Sequence, residues 1–227
     1  MKDEDGRVNG SLMLELEKVQ VNIGQFAILR GVSLAVPPGR IIGLVGRNGA
    51  GKTTTMRSIV GLAAVRAGAI RVAGQDLLAV PPYKRAQQGI GYVPEDRRLV
   101  SSLTAEENIL VPAWATGLND SQERLDFIYE LMPEIKELAG RQASQLSGGQ
   151  QKMVALGRAL ITGRQLLLLD EPFEGLAPAL SEKFAGVIRA LRQHGLAVLV
   201  AESDLKLISG MAEKIYTIER GEVIGNR

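Results

Sequence analysis

The chain contains no cysteine and a single histidine, His194. Disulfides, thiol nucleophiles, Cys-ligated zinc or iron–sulfur centres and His-cluster metal sites are therefore all excluded, and a reducing compartment is permitted. An excess of charge is also missing: 27 basic and 25 acidic side chains leave a formal charge of +2, which gives no electrostatic case for a nucleic-acid surface. Any phosphate recognition must be local. No apolar run approaches the roughly 20 residues that a membrane-spanning helix needs. The strongest runs, residues 166–169 and 195–201, have the length of buried strands. Residues 1–11 carry Lys2, Asp3, Glu4, Asp5 and Arg7 with no apolar stretch behind them, so a tail is expected there rather than a targeting signal. If the protein works at a membrane, another chain is expected to anchor it. What is present is an ordinary globular balance, 45% hydrophobic and 23% charged over 227 residues, enough for one large α/β domain or a core with a small appendage.

Apolar residues alternate at Leu12, Leu14 and Leu16, and again at Val32, Leu34 and Val36 before a Pro37-Pro38-Gly39 turn. That is the pattern of short half-buried strands, so an antiparallel β layer opens the chain. Residues 40–45 form an apolar strand that runs into a glycine loop, and residues 53–62 have helical composition. Strands are expected at 69–73 and 90–93. Beyond Pro94 the character turns helical for roughly seventy residues. In that stretch Thr104 and Glu107 have capping-box spacing, residues 120–131 are amphipathic and stop before Pro133, and a third helix is expected from about Gly148 to Leu160. Residues 166–169 and 196–200 are continuous apolar runs around a helix at 179–192, the alternation of a parallel sheet covered on both faces. A terminal hairpin, 214–219 and 223 onward, turns at Arg220-Gly221. The expected division is a core in two parts, 12–94 and 163–227, interrupted by a helical subdomain at 95–162.

Three clusters carry chemistry. Gly46, Arg47, Asn48, Gly49, Ala50, Gly51, Lys52 and Thr53 match G-x-x-x-x-G-K-[ST] between an expected strand and an expected helix. Glycines there allow the backbone to point successive N–H groups at phosphate oxygens, and the helix start adds about half a positive charge. Lys52 supplies a full charge, worth about 4 kcal/mol at about 4 Å and an effective dielectric of about 20. The Thr53 hydroxyl suits Mg²⁺. Asp170 and Glu171 end the apolar strand 166–169, and ligand sites lie at the carboxyl ends of strands in open α/β sheets. Asp170 would hold Mg²⁺, and Glu171 would orient or deprotonate an attacking water. Ser147, Gly148, Gly149 and Gln150 open a helix of the helical stretch and form a second anion cradle.

With Leu146, these last residues resemble the signature motif of ATP-binding cassette (ABC) ATPases, and the other two clusters fall in that family's order. The resemblance spans residues 12–225. It implies a P-loop NTPase fold with a RecA-like parallel-sheet core, ATP and Mg²⁺ as ligands with Thr54 and Ser203 also at the nucleotide, and ATP hydrolysis. It also implies a head-to-tail pair with a second cassette, itself or a related subunit, in which each signature covers the ATP held by the other's glycine loop. The runs 92–98, 103–108 and 170–178 look most like ATP-binding subunits of branched-chain amino acid importers. That resemblance implies permease subunits as membrane partners, an extracytoplasmic substrate-binding protein as an indirect one, no nucleic acid, and a cytoplasmic place on the inner membrane. The rival reading is a non-transport cassette acting on a soluble macromolecule, although the long insertions or basic extensions usual there are missing.

Four positions depart from the family's pattern. Glu95 stands where most cassettes have Gln; it can still reach Mg²⁺ or its water, or pair with Arg97 or Arg98 in a hinge loop. Ser203 takes the place of the switch histidine and cannot become cationic. Ile23 replaces the aromatic that stacks on adenine; Phe26 is expected in a core role, with substitution for the missing aromatic as the alternative. Ala177 stands where many cassettes have Asp. These departures lead to the expectation of an asymmetric pair. Trp114 is expected either to pack inside or to line a permease groove, and Arg85, Arg97 and Arg98 to lie in that groove or on a solvated basic face.

Overall fold

The alternating apolar residues near the start build an antiparallel layer. The structure, a computed structural model, describes residues 12–226; residues 1–11, read above as a tail, and Arg227 lie outside the described residues. Strands β1 (Leu14–Ile23) and β2 (Phe26–Val36) pair in the register Leu14↔Val36 and Leu16↔Leu34, which puts their apolar side chains on one buried face. The alternation slips between Leu16 and Val19. Lys18 takes φ 47 there, forming a bulge that returns Val19 and Val21 to the core side. Gly68 lies against the bulge, and a Cβ on it would stand 2.4 Å from the Lys18 carbonyl oxygen, so only glycine fits. After β3 (Ile41–Val45) and α1 (Lys52–Val60), strands β4 (Val65–Val72) and β5 (Gln75–Asp76) complete this sheet in the order β2-β1-β4-β5.

The second sheet is six-stranded. It joins β3 to β6 (Ile90–Val93), β7 (Leu166–Asp170), β8 (Ala197–Glu202), β9 (Lys214–Glu219) and β10 (Glu222–Asn226) in the order β10-β9-β3-β8-β7-β6. All its pairs are parallel except the β9–β10 hairpin. The hairpin was legible in the sequence. The pairing of β9 beside β3, which makes it part of the core sheet, was not. Both faces are covered, as the unbroken apolar runs require. Leu166, Leu168 and Leu199 face the antiparallel sheet and α1, whereas Leu167, Leu169, Val198 and Val200 face the helical layer. All of these are fully buried, each worth about 1.5–3 kcal/mol of apolar transfer.

The helical layer comprises α2 (Ala105–Thr116), α3 (Ser121–Leu131), α4 (Pro133–Glu137), α5 (Gly148–Thr162) and, farther along the chain, α6 (Pro178–Gln193). The Thr104 capping box forms: Glu107 N–H donates to Thr104 Oγ1 at 3.1 Å, and Thr104 N–H donates to Glu107 Oε2 at 2.8 Å. Pro133, expected as a stop, ends α3 but also opens α4. Its fixed φ and missing N–H suit a first helical position, so the helix at Gly148 is the fourth of the stretch rather than the third. A 3₁₀ turn at Pro82–Gln88 and the short helix α7 (Leu205–Ile208) were also not anticipated. No helix among the described residues is long and apolar enough to cross a membrane.

Candidate functional site

Strands β3, β6, β7 and β8 all end at the same edge of the sheet, and the residues that follow them converge there. A cavity of about 610 Å³ opens at this edge, with Lys52, Thr53, Glu95, Glu171 and Ser203 on its wall and Ile23 and Ile28 at one end. The glycine loop is held from behind. Gly221 of the β9–β10 turn donates its N–H to the Ala50 carbonyl at 2.9 Å and accepts from Arg30 N–H at 2.8 Å. A Cβ on Gly221 would sit 2.1 Å from the Ile28 carbonyl oxygen. Gly51, at φ 116, precedes α1 without any side-chain cap, so the first N–H groups of α1 are left to a ligand. Gly49, at φ 80, has nothing within 4 Å of where a Cβ would stand. An uncapped helix start, an open glycine and a buried lysine are what a polyphosphate needs, and the residues fit one.

Lys52 is 5% exposed and fully engaged. Its Nζ lies 2.6 Å from the Gly46 carbonyl, 3.0 Å from Ser203 Oγ and 2.9 Å from Glu171 Oε1. Ser203 Oγ in turn lies 2.6 Å from Glu171 Oε1 and 2.8 Å from Asn48 Oδ1, and its backbone N–H donates to Glu171 Oε2 at 3.1 Å. A hydroxyl has one proton, and the carboxylate is the stronger acceptor, so that proton goes to Glu171. Burial works against the Glu171 charge. The hydrogen bonds from Ser203 and Glu202 and the Lys52 ammonium outweigh it and hold the carboxyl below its ordinary range. Asp170 faces the other way. It accepts from Thr53 Oγ1 at 3.1 Å and from the Tyr92 hydroxyl at 3.2 Å, and burial still pushes it up to about 6.

Thr53 and Asp170 thus present hard oxygens side by side; Thr53 and Glu95 line the cavity, whereas the buried Asp170 touches it only through Thr53. Among the described residues no group of three or more His, Cys, Asp or Glu side chains forms a metal cage. Two protein oxygens that leave most positions to phosphate and water suit Mg²⁺. Glu95 does not pair with either arginine as one reading had it; Asp96 takes Arg98, at 2.8 Å.

Ser147, Gly148, Gly149 and Gln150 are not brought to this cavity. They open α5 with a complete capping box: Gln150 N–H donates to Ser147 Oγ at 3.3 Å, and Ser147 N–H donates to Gln150 Oε1 at 2.9 Å. Their glycines meet this chain's own side chains. A Cβ on Gly149 would stand 2.1 Å from Leu180 Cδ2, and one on Gly148 3.2 Å from Arg97 Nη1. Arg97, expected in a groove or on a basic face, instead donates to the Gly148 carbonyl at 3.3 Å and to Gln151 Oε1 at 2.9 Å.

Other expectations are corrected. Phe26 is 76% exposed and takes no core role, because it lies at the tip of the β1–β2 hairpin beside the exposed Ile23. Trp114 is 59% exposed, which removes its packing role. Arg85 is buried rather than on a basic face; its Nη1 caps the end of α1 at the Ser58 and Ile59 carbonyls, 3.0 and 2.8 Å away. Sequence reasoning missed Glu202 and Lys152. Glu202, 1% exposed, closes β8 and accepts from Phe173 N–H at 3.0 Å. Burial pushes it up to about 8, and the neighbouring Glu171 adds to this, so at neutral pH it carries a proton for Glu171. A lone acid ending an otherwise apolar strand was the available signal.

The model of the ABC transporter family matches residues 29–174. The high-affinity branched-chain amino acid transport ATP-binding protein BraG of Pseudomonas aeruginosa is 37% identical, with 93% of this chain and 91% of that protein covered. The lipopolysaccharide export system ATP-binding protein LptB of Escherichia coli is 34% identical, with 88% and 83% covered. A dimeric bacterial ABC transporter cassette superposes with a TM-score of 0.83 at 25% identity, covering 95% of this chain and 98% of that one. Glycine loop, carboxylate-tipped strand and signature helix on this fold have one family in common: the chain belongs to the ABC transporter family, as an ATP-binding subunit that hydrolyses ATP.

Proposed function

We propose that this chain powers an importer of branched-chain or other hydrophobic amino acids, working as one half of a head-to-tail pair of cassettes bound to permease subunits on the cytoplasmic side of the inner membrane. One observation carries the pairing. Lys52, Thr53 and Glu171 share one cavity, while Ser147 and Gly148 open a different helix outside it. One nucleotide therefore uses the glycine loop of one protomer and the signature of the other. The dimeric relative supports this arrangement, and the likeness to BraG supports the amino-acid cargo. Trp114 on α2 and Tyr83 on the neighbouring 3₁₀ turn, 59% and 76% exposed, suit the permease-facing surface.

In this reading the N–H groups of Gly49, Gly51, Lys52, Thr53 and Thr54 cradle the phosphates, Ala50 N–H closes the loop on the Arg47 carbonyl at 3.0 Å, Gly46, Arg47 and Asn48 flank the site, and Ile23 and Ile28 support the base. Thr53 and Asp170, with Glu95 nearby, would hold Mg²⁺, which neutralises phosphate charge when bound. A triphosphate competes for the Lys52 ammonium and frees Glu171 from its ion pair. Glu171 then takes a proton from the attacking water as the water oxygen bonds to the γ-phosphorus and the bond to the bridging oxygen breaks toward ADP. Ser203 keeps the carboxylate oriented. Gln150 and Ser147 of the partner protomer close over the γ-phosphate.

Glu171→Gln tests the chemistry: hydrolysis is expected to fall by about 10²- to 10⁴-fold with Mg-ATP affinity within a few-fold of the native value. Normal turnover in this variant removes Glu171 from the reaction. Vesicles carrying the chain with its co-purifying permease test the cargo. ATP-dependent leucine accumulation is expected, and movement of lipopolysaccharide outward instead overturns the import reading.

A further inference from the structure

Beneath Glu171 lies a set of contacts that none of the sequence motifs accounts for. Lys152 stands on α5, in the turn that follows Ser147, and its side chain is buried, 6% exposed. Its ammonium donates to three main-chain carbonyls of one short loop: Glu171 at 3.0 Å, Pro172 at 3.1 Å and Glu174 at 2.5 Å. A buried ammonium has three protons to satisfy, and here the loop backbone satisfies all three. The same loop is gripped from its other side by Glu202, whose Oε1 accepts from Phe173 N–H at 3.0 Å. The residue held between them is strained. Glu171 has φ 50, a left-handed conformation that a side-chain-bearing residue adopts only when its surroundings impose it.

Three carbonyls converge on a single point only if the loop is sharply bent, so the cation selects that bend. Burial and the neighbouring Arg97 disfavour the charge of Lys152, while Glu174 and Glu171 support it. An uncharged side chain would fill the same space more cheaply, and the cation therefore needs a reason. Both ends of the contact have a role in hydrolysis. The Ser147 end of α5 meets the partner's nucleotide in the paired arrangement, and the loop carries this protomer's own Glu171.

We propose that Lys152 is a positioning residue that couples the start of the signature helix to the direction of the Glu171 carboxylate, with Glu202 as the opposing hold on the loop. Engagement of α5 by the partner's nucleotide is thereby felt at this chain's own site. This rests on Glu171 being the proton acceptor, as argued above. Lys152 neither lines the nucleotide cavity nor contacts the glycine loop, so it acts through the loop alone.

The test uses the full-length chain and three measurements: amide hydrogen exchange in the segment 171–176, Mg-ATP affinity by fluorescence titration, and steady-state ATP hydrolysis. Lys152→Met keeps the length of the side chain and removes its donors. It is expected to speed exchange in that segment at least tenfold, leave Mg-ATP affinity within about threefold, and lower kcat by about ten- to a hundredfold, the range that a misplacement of about 1 Å produces. Lys152→Arg is expected to return most of the exchange protection and at least a third of kcat. Glu202→Leu, which removes the opposite hold, is expected to behave like Lys152→Met. Unchanged exchange in Lys152→Met overturns the proposal, as does a rise in KM with kcat intact. Unfolding of both Lys152→Met and Glu202→Leu overturns it too, because the two residues would then belong to the core and not to one loop. Glu171→Gln separates the two readings. If that variant hydrolyses ATP normally, the assignment of Glu171 fails; if it is inactive and Lys152→Met is fully active, only the coupling fails.

Discussion

The chain carries two helix starts that the proposed function assigns to anions, and they are built in opposite ways. At α1 nothing from the protein caps the helix, and the charged groups around it satisfy one another, Lys52 with Glu171 at 2.9 Å. At α5 the helix caps itself through Ser147 and Gln150, no acidic residue stands in the first turn, and Leu180 packs against Gly149 while Arg97 lies beside the exposed Gly148. The first start is open in its backbone and coupled in its charges. The second is capped by its own side chains and has a cation, Arg97, beside it instead of an ion pair. A cradle that must hold a triphosphate by itself gains from free N–H groups and a lysine. One that completes a partner's site needs a rigid surface with a single exchangeable proton, the Ser147 hydroxyl, which accepts a cap bond without using its own hydrogen.

The contrast can be broken most forcefully at Lys52. Lys52→Ala leaves the Glu171 carboxylate buried without its counter-charge, a loss of about 3–5 kcal/mol for such a pair. Mg-ATP binding is expected to disappear at millimolar nucleotide, with a fall in melting temperature that calorimetry would detect. Retained binding would show that the α1 start works by its backbone alone.

A smaller effect separates the two starts by pH. Glu202 holds its proton in the folded protein up to about pH 8, whereas an unfolded glutamate releases it near its ordinary value. Between about pH 6 and 8 the folded state therefore binds more protons, and stability falls as pH rises. Asp170, with a folded value of about 6, adds to the same decline up to about pH 7, whereas Glu171 is ionised in both states and adds none. The melting temperature of the native chain is expected to drop across this window, and that of Glu202→Gln to lose this part of the decline. Equal slopes would remove Glu202 from the coupled set.

The smallest effect belongs to α5. Ser147→Ala is expected to cost about 1 kcal/mol of stability, the usual worth of a helix cap. Ser147→Asp keeps a cap and is expected to melt within about 0.5 kcal/mol of the native chain while losing ATP-driven dimerisation in size-exclusion chromatography, because it sets a carboxylate against the partner's phosphates. Dimerisation intact in Ser147→Asp would place no anion at this helix start.

Both starts and the strand tipped by Asp170 and Glu171 were legible in the sequence because each is a contiguous run, the first start ending in Lys52 and Thr53 and the second being the Ser147 turn. The two-faced sheet was legible too, since Leu166, Leu167, Leu168 and Leu169 leave no polar side. What escaped depends on distant partners. Lys152 reads as a surface cation at a helix start until the carbonyls of Glu171, Pro172 and Glu174, some twenty positions on, are folded over it. Arg85 likewise finds its acceptors 26 and 27 positions away. Phe26 failed for the opposite reason: apolar composition predicts burial, but a hairpin tip offers nothing to be buried against. Strand β9 paired beside β3, a choice made by the sheet and not by its own residues.

Where α5 crosses β6, the two touch backbone to backbone. A Cβ on Gly91 would stand 2.3 Å from the Ala159 carbonyl oxygen, and one on Gly163 3.0 Å from the Gly91 Cα. At Gly91 the two backbones meet directly, with the Thr162 hydroxyl donating to the Ile90 carbonyl at 3.4 Å beside them, so the crossing is a narrow fulcrum rather than a broad bearing surface. Ser147 lies twelve residues along the helix from Ala159, a lever arm of about 18 Å. A tilt of about 5° at the fulcrum would swing Ser147 through about 1.5 Å, half the length of a hydrogen bond, which in the proposed pair is the difference between grasping a phosphate oxygen and missing it.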